Sequence, residues 1–260
     1  MPDRVALVTG AGSPTGIGMA AARALGGEGL AVGVCATTDR IYERVAELGR
    51  DGVDAGGFVA DLTDAGAARS VVDAALDRFG RVDVLVNNAG MVTVAMDDPE
   101  ERRFVEITDA EWESTIAMNL TTAFNVTRAA LPGMLDRGWG RVVMVSSVTG
   151  PVASNPASAG YSAAKAGMDG LMRAIAIEAG RRGVTVNSVA PGWIATGSQT
   201  PEETVAGLHT PVGRSGTPEE IAAVIAFLAS NGASYLTGQS ISVDGGNTIQ
   251  EYKGPAEGYY

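Results

Sequence analysis

The chain has one cysteine and one histidine in 260 residues. Cys35 alone cannot close an intrachain disulfide, and with His209 as the sole histidine no cluster has metal-ligand spacing. Cys35 lies in an apolar run and is expected to be a buried structural thiol, not a reactive one. His209, between Leu208 and Thr210, is expected to face solvent from a loop. No apolar stretch approaches the ~20 residues of a membrane span. The first strand-like run begins at Val5, which leaves no room for a signal peptide, so the expected location is the cytoplasm. Basic residues are also scarce, with Lys and Arg totalling 19 against 30 Asp and Glu, a net charge of −11. Such a surface repels phosphate backbones and disfavours nucleic-acid binding, while one small basic pocket for a phosphorylated cofactor stays compatible with it. No repeat, low-complexity segment or linker rich in Pro, Gly or Ser divides the chain. A single domain over residues 1–260 is expected, with 247–260 as a C-terminal tail.

What is present is an alternation of short β-branched runs with longer Ala-rich segments of helical period. Strands are expected at Val5–Thr9, Ala31–Ala36, Gly57–Ala60, Val82–Asn87, Arg141–Ser146, Thr185–Ala190 and Gln239–Val243. Most are continuously apolar, as suits strands buried on both faces of a parallel sheet. Helices are expected at Gly18–Gly27, Ile41–Leu48, Ala65–Phe79, Asp109–Asp136, Tyr161–Arg181 and Pro218–Ala229, with Asp109 and Thr217 as caps. Repeated βαβ units of this kind predict an α/β fold, a Rossmann-like doubly wound parallel sheet of about seven strands with helices on both faces.

Tyr161 and Lys165 are four residues apart, fourteen residues after Ser147. On a helix the two share a face, so an ammonium stands beside a phenol. The positive charge is expected to lower the tyrosine's pKa towards the range of an acid/base catalyst. With the Ser147 hydroxyl holding a substrate oxygen, this set has the equipment to interconvert an alcohol and a carbonyl.

The first strand runs into Thr9-Gly10-Ala11-Gly12-Ser13-Pro14-Thr15-Gly16-Ile17-Gly18. Glycines there let the backbone turn sharply and approach a pyrophosphate resting on the positive end of the next helix. An acidic residue at the tip of the second strand would bind the ribose diol of NAD. Ala36-Thr37-Thr38 is neutral instead, and Thr37, Thr38 and Arg40 suit a ribose 2′-phosphate. NADP is therefore favoured and NAD remains open, because Asp39 lies alongside. Asp61-Leu62 follows the third strand. The Asp61 carboxylate is suited to the adenine amino group or to capping the next helix, and these roles are compatible. Asn87-Asn88-Ala89-Gly90 ends the fourth strand and reads as a turn.

In this order the motifs resemble those of the short-chain dehydrogenase/reductase family over nearly the whole chain. The matching elements are the glycine loop, Asp61, Asn87–Gly90, Asn119, Ser147, Tyr161-x-x-x-Lys165 and Pro191-Gly192-Trp193-Ile194-Ala195-Thr196. They extend to Gly213–Ile221 and to Leu236–Gln239 through Val243–Gly246. The nearest branch in look is that of 3-oxoacyl-(acyl-carrier-protein) reductases and related carbonyl reductases. The resemblance implies a catalytic set of Asn119, Ser147, Tyr161 and Lys165. Ser147 would polarise the carbonyl, Tyr161 would deliver the proton, and Lys165 would hold the nicotinamide ribose. Asn119 would kink its helix and anchor a relaying water. The cofactor would lie along Gly10, Gly12, Ser13, Thr15, Gly16, Ile17, Gly18, Asn88, Ala89, Gly90, Pro191 and Gly192. Ile194 and Thr196 would meet its carboxamide. A homotetramer through the helices of Asn119 and Tyr161 is implied. A small-molecule carbonyl or alcohol is the implied substrate.

An acyl-carrier partner would need a basic patch, for which Arg137, Arg141, Arg181 and Arg182 are candidates. The leading expectation is an NADPH-dependent carbonyl reductase. The alternatives are an NAD-dependent secondary-alcohol dehydrogenase of the same family and a non-catalytic nucleotide-binding protein.

The chain departs from the family pattern in four places. Five residues instead of three separate Gly10 from Gly16, and the loop lacks the basic residue frequent in NADP-using relatives. The Ser147–Tyr161 gap is one residue longer than the commonest spacing, with slack expected in Ala153–Ala159. The segment 91–108 is longer and carries the charged run Asp97–Arg103. The stretch Gly197–Pro211, where the family has a substrate lid, reads as short and polar.

Overall fold

The computed structural model describes residues 4–90 and 103–254. Seven strands form one sheet: β1 Val5–Thr9, β2 Ala31–Ala36, β3 Ala55–Val59, β4 Val84–Asn87, β5 Gly140–Val145, β6 Val184–Pro191 and β7 Ser240–Val243. Their order is β3-β2-β1-β4-β5-β6-β7, and every pairing is parallel. Two apolar clusters cover the two faces. Ala6 and Val8 of β1 point into one with Met19 and Leu25, while Leu7 points into the other with Val126, Met168 and Met172. Alternate residues of one strand thus feed opposite cores, which is why the central strands read as continuous apolar runs. The edge strands differ: β7 alternates between half-buried and exposed, and β3 is only partly covered.

The helices are α1 Ile17–Gly27, α2 Ile41–Arg50, α3 Ala65–Phe79, α4 Asp109–Ile116, α5 Thr122–Arg137, α6 Ala159–Ala179, α7 Pro201–Leu208 and α8 Pro218–Ala229. The helix expected over Asp109–Asp136 is not continuous. A π-helical turn, Ala117–Thr121, divides it. Its cap is Thr108, which accepts from Glu111 N while Glu111 reaches back to Thr108 N, so Asp109 is the first helical residue. Helix α7 replaces the polar loop expected between Gly197 and Pro211. The third helix is capped by Asp64, not Asp61; Asp61 instead accepts from Thr63 N at 2.9 Å and Thr63 Oγ1 at 2.7 Å.

At the N-terminal edge of the sheet, Asp83 is fully buried and accepts from Val5 N. Arg81 binds both of its oxygens at 2.7 and 2.9 Å, and Arg137 Nε lies 3.4 Å away. Arg141 is also buried there, donating to the carbonyls of Gly140, Gly183 and Ser230. Arg141, one of the arginines proposed for a carrier-protein patch, is therefore structural, while Arg137 is tied to Asp83 yet stays exposed. Arg181 and Arg182 remain exposed.

Cys35 is buried on β2, and burial pushes its thiol up to about 12. His209 ends α7 half-buried, its carbonyl accepting from Gln250 Nε2. That bond and Thr248 on Asp244 tie down the first part of the tail. The charged run up to Arg102 and the final tyrosines lie outside the described residues.

Candidate active site

The crevice lies at the C-terminal ends of β1 and β4, where the strand order reverses, the expected place for a ligand in such a sheet. Thr9 and Asn88 staple it. Thr9 Oγ1 accepts from Asn88 N and Ala89 N, and Asn88 Nδ2 donates to the carbonyls of Thr9 and Gly10 at 3.0 Å. Gly10 takes φ +69°, and a Cβ there would come 2.7 Å from Ala89 Cα, so the close approach of the two strand ends requires glycine. Gly18 is packed as tightly, since a Cβ would meet Asn88 Nδ2 at 2.6 Å.

The two extra residues of the glycine loop are absorbed by a turn in which Gly16 N donates to Ser13 O. Gly16 is the N-cap of α1 and offers no side chain to its first amides, so these remain free for an anion. Thr15 reaches the far wall: a Cβ on Gly197 would lie 2.6 Å from Thr15 Oγ1. Beyond β2, Thr37 and Thr38 are exposed, and Arg40 folds back over the loop, its Nε 2.6 Å from the place of a Cβ on Gly12. A cation thus stands over an open glycine loop beside two hydroxyl-bearing residues. The residues present fit a nicotinamide dinucleotide.

Asp61 is exposed at the end of β3. Leu62 turns its side chain into the core and leaves only its backbone for the crevice, where its carbonyl already accepts from Asn125 Nδ2. Ile17 packs on the core behind the loop. Pro191 closes β6, and Gly192 lies against Asp244. Ile194 is nearly buried, and Thr196 Oγ1 lies 3.0 Å from Ser198 Oγ.

Ser147 follows β5, its Oγ accepting from Thr149 N at 3.0 Å. Tyr161 is in the first turn of α6, with the Ser147 hydroxyl acting on its phenol. Lys165, one turn later and 3% exposed, donates from Nζ to Val145 O at 2.9 Å and lies 5.5 Å from the Tyr161 ring centre. Ser146 Oγ, at 3.3 Å from the Lys165 carbonyl, ties α6 to β5. The extra residue between Ser147 and Tyr161 is accommodated at Ala157, which takes φ +62°.

Burial lowers the Lys165 pKa to about 8, opposed by Asp169. Burial raises that of Tyr161, the Ser147 hydroxyl opposes this, and the Glu203 carboxylate adds to the rise. The expectation of a lowered tyrosine pKa is therefore corrected: desolvation of the phenol outweighs its neighbours.

Asn119 lies in the π-helical turn, 1% exposed. Its Nδ2 donates to Thr115 O, and Thr122 Oγ1 to Met118 O, so two side chains occupy carbonyls that α-helical amides would use. Thr122 N bonds Ala117 O instead, the wider π register. Asn119 Oδ1 is buried without a partner among the described residues and faces Gly90, where a Cβ would come within 2.8 Å.

Sequence reading missed Glu203 and Asp169. The run Thr200-Pro201-Glu202-Glu203 carries the same capping box with Pro at N1 as Thr217-Pro218-Glu219-Glu220, so α7 had a legible start signal.

A doubly wound parallel sheet whose switch-point crevice meets a Ser–Tyr–Lys cluster defines a class, the nicotinamide-dependent oxidoreductases. Comparison with known proteins narrows it. The family described as enoyl-(acyl carrier protein) reductase matches residues 10–248. The 3-oxoacyl-(acyl-carrier-protein) reductase FabG of Pseudomonas aeruginosa is 39% identical over 252 residues, covering 95% of this chain and 98% of that protein. Its namesake from Thermotoga maritima is 38% identical over 257 residues, with 96% and 99% covered. A crystal structure described as a "putative gluconate dehydrogenase" from Agrobacterium tumefaciens superposes with a TM-score of 0.86 at 33% identity, covering 96% and 97% of the two chains. The chain belongs to the short-chain dehydrogenase/reductase family and is an NAD(P)-dependent oxidoreductase acting between carbonyl and alcohol.

Proposed function

We propose that the protein is an NADPH-dependent ketone reductase with Asn119, Ser147, Tyr161 and Lys165 as its catalytic set. The carrying observation is the buried Lys165 amine beneath the Tyr161 ring, held by Val145 O, with the Ser147 hydroxyl acting on the same phenol. Ser147 holds and polarises the carbonyl oxygen. Tyr161 gives its phenolic proton to that oxygen as the carbonyl carbon becomes tetrahedral. The bound nicotinamide supplies the hydride. A phenol held protonated by burial suits the donor role, and the Lys165 ammonium stabilises the phenolate that remains. The free Asn119 Oδ1 suits a water that returns a proton to Lys165 and Tyr161.

Arg40 over the glycine loop, with Thr37 and Thr38, supports NADPH over NADH. The names of the two FabG relatives support a 3-oxoacyl thioester carried by an acyl carrier protein as substrate. Half-exposed Phe124 on α5 and strongly exposed Ile177 on α6 support assembly of a homotetramer through these helices. The expected location is the cytoplasm.

Tyr161→Phe tests the reading. NADPH oxidation with a 3-oxoacyl thioester should fall roughly a hundred- to ten-thousandfold with the fold intact. Retained turnover removes Tyr161 from its role. Arg40→Ala should weaken NADPH by about tenfold or more and leave NADH unchanged. A second reading, an NAD-dependent alcohol dehydrogenase, draws on exposed Asp39 beside the ribose position and on the dehydrogenase name of the structural relative. Tight NADH binding without NADPH binding would favour it.

A further inference from the structure

We infer that Asp169 is a positioning residue for Lys165, its buried carboxylate keeping the amine one helical turn away charged and directed at the cleft. The inference rests on the reading of Lys165 as part of the catalytic set. Tyr161, Lys165 and Asp169 recur every four residues along α6 and share one face. Lys165 is 3% exposed and Asp169 is 2% exposed. An ammonium withdrawn from water is costly unless an opposite charge is near.

The other elements packed on this part of α6 present neutral groups: the Val145 carbonyl and Ser146 from β5, Ser188 from β6 and Asn119 from the π-helical turn. Of the acids on α4, Asp109 and Glu113 are exposed, and Glu111 is engaged by Thr108. Glu203 of α7 acts on Tyr161. Asp169 is the charge that supports the protonated form of Lys165 against burial.

The carboxylate is not there for packing. Its neighbours Met168 and Met172 already supply the apolar contacts of this stretch to the core. Instead Asp169 Oδ1 is buried with no hydrogen-bond partner among the described residues. Nor does the pair close into a direct ion pair among the described residues. A direct contact would draw the amine along α6, away from Val145 and the ring. At one turn's distance the field acts through a poorly screening interior and leaves the amine at the cleft. The chain's other lysine is Lys253; apart from His209, every remaining basic residue is arginine. Lysine is the cation whose charge surroundings can tune, so a tuning acid has a use at position 165.

The two-lysine composition makes the test direct. With 15N-labelled lysine, Lys165 and Lys253 give two Nζ resonances, whose titration is followed in wild type, Asp169→Asn and Asp169→Glu. Asp169→Asn should lower the Lys165 pKa by roughly one pH unit, and Asp169→Glu should restore it. The alkaline limb of the kcat/KM profile for NADPH and a ketone should move down by the same amount. An unmoved Lys165 titration in a folded variant overturns the inference. If Asp169→Asn does not fold, Asp169→Leu takes its place. Failure of both assigns the carboxylate to core folding and equally overturns the proposal. A wild type inactive towards every carbonyl would sink the reductase reading instead, while the lysine titration would still report on Asp169.

Discussion

Two charges are buried at opposite ends of the same sheet, and their surroundings are opposite. Asp83, below β4, has its oxygens occupied by Arg81, Arg137 and Val5 N. Lys165, above β5, has one carbonyl and, among the described residues, no carboxylate in direct contact. The N-terminal edge thus neutralises its charge with complete coordination, and the group serves the fold. The C-terminal edge leaves its charge under-coordinated, and the group stays available for chemistry. Stability and function are separated along the strand axis by how many partners each buried ion is given.

The contrast is broken most severely at Asp83. Asp83→Ala strands two arginines and a strand amide and should cost about 3–5 kcal/mol in denaturant unfolding. Cofactor affinity of the folded fraction should stay unchanged, since the site is at the other end of the strands. Lys165→Met should do the reverse. Turnover should drop by at least about a hundredfold. Denaturant unfolding should show a gain on the order of 3 kcal/mol, because the penalty that moves the amine from 10.5 to about 8 is removed.

The pH dependence sharpens the point. The folded pKa of Lys165 lies below its unfolded value. Below about pH 8 both states are protonated and the penalty is present in full. Between about 8 and 10.5 the unfolded chain binds the extra proton, so stability rises with pH through this group. The stability difference between Lys165→Met and wild type should therefore shrink across that window. Over the same rise, wild-type kcat/KM should fall as the ammonium is lost. The smallest effect concerns Cys35, a third buried titratable group, kept neutral by a thiol pKa of about 12. Iodoacetamide at pH 8 should leave it unlabelled in the folded protein and label it fully after unfolding; native labelling would show that the β2 core opens.

The two Thr-Pro-Glu-Glu runs show what local pattern can convey. Each starts a helix by the same capping box, yet only Thr217–Glu220 precedes the long apolar period of Ile221, Ile225 and Leu228 that marks α8 as core. Thr200–Glu203 precedes a short helix with little buried surface, so periodicity was silent there and only the cap spoke. Asp61 and Asp64 are both plausible caps three residues apart, and packing of the β3–α3 turn on Asn125 chose Asp64. Arg141 looked like surface charge; two of its three carbonyl partners, Gly183 and Ser230, come from segments distant in sequence.

The sequence by itself determined the parallel sheet, the position of the glycine loop and the four residues proposed for catalysis, because these depend on local periodicity and on motifs read within a few residues. Only the tertiary structure decided the π register at Asn119, the fold of Arg40 over Gly12, the raised tyrosine and the buried Asp169 near Lys165. Those depend on desolvation and on distances between segments, which no local pattern encodes.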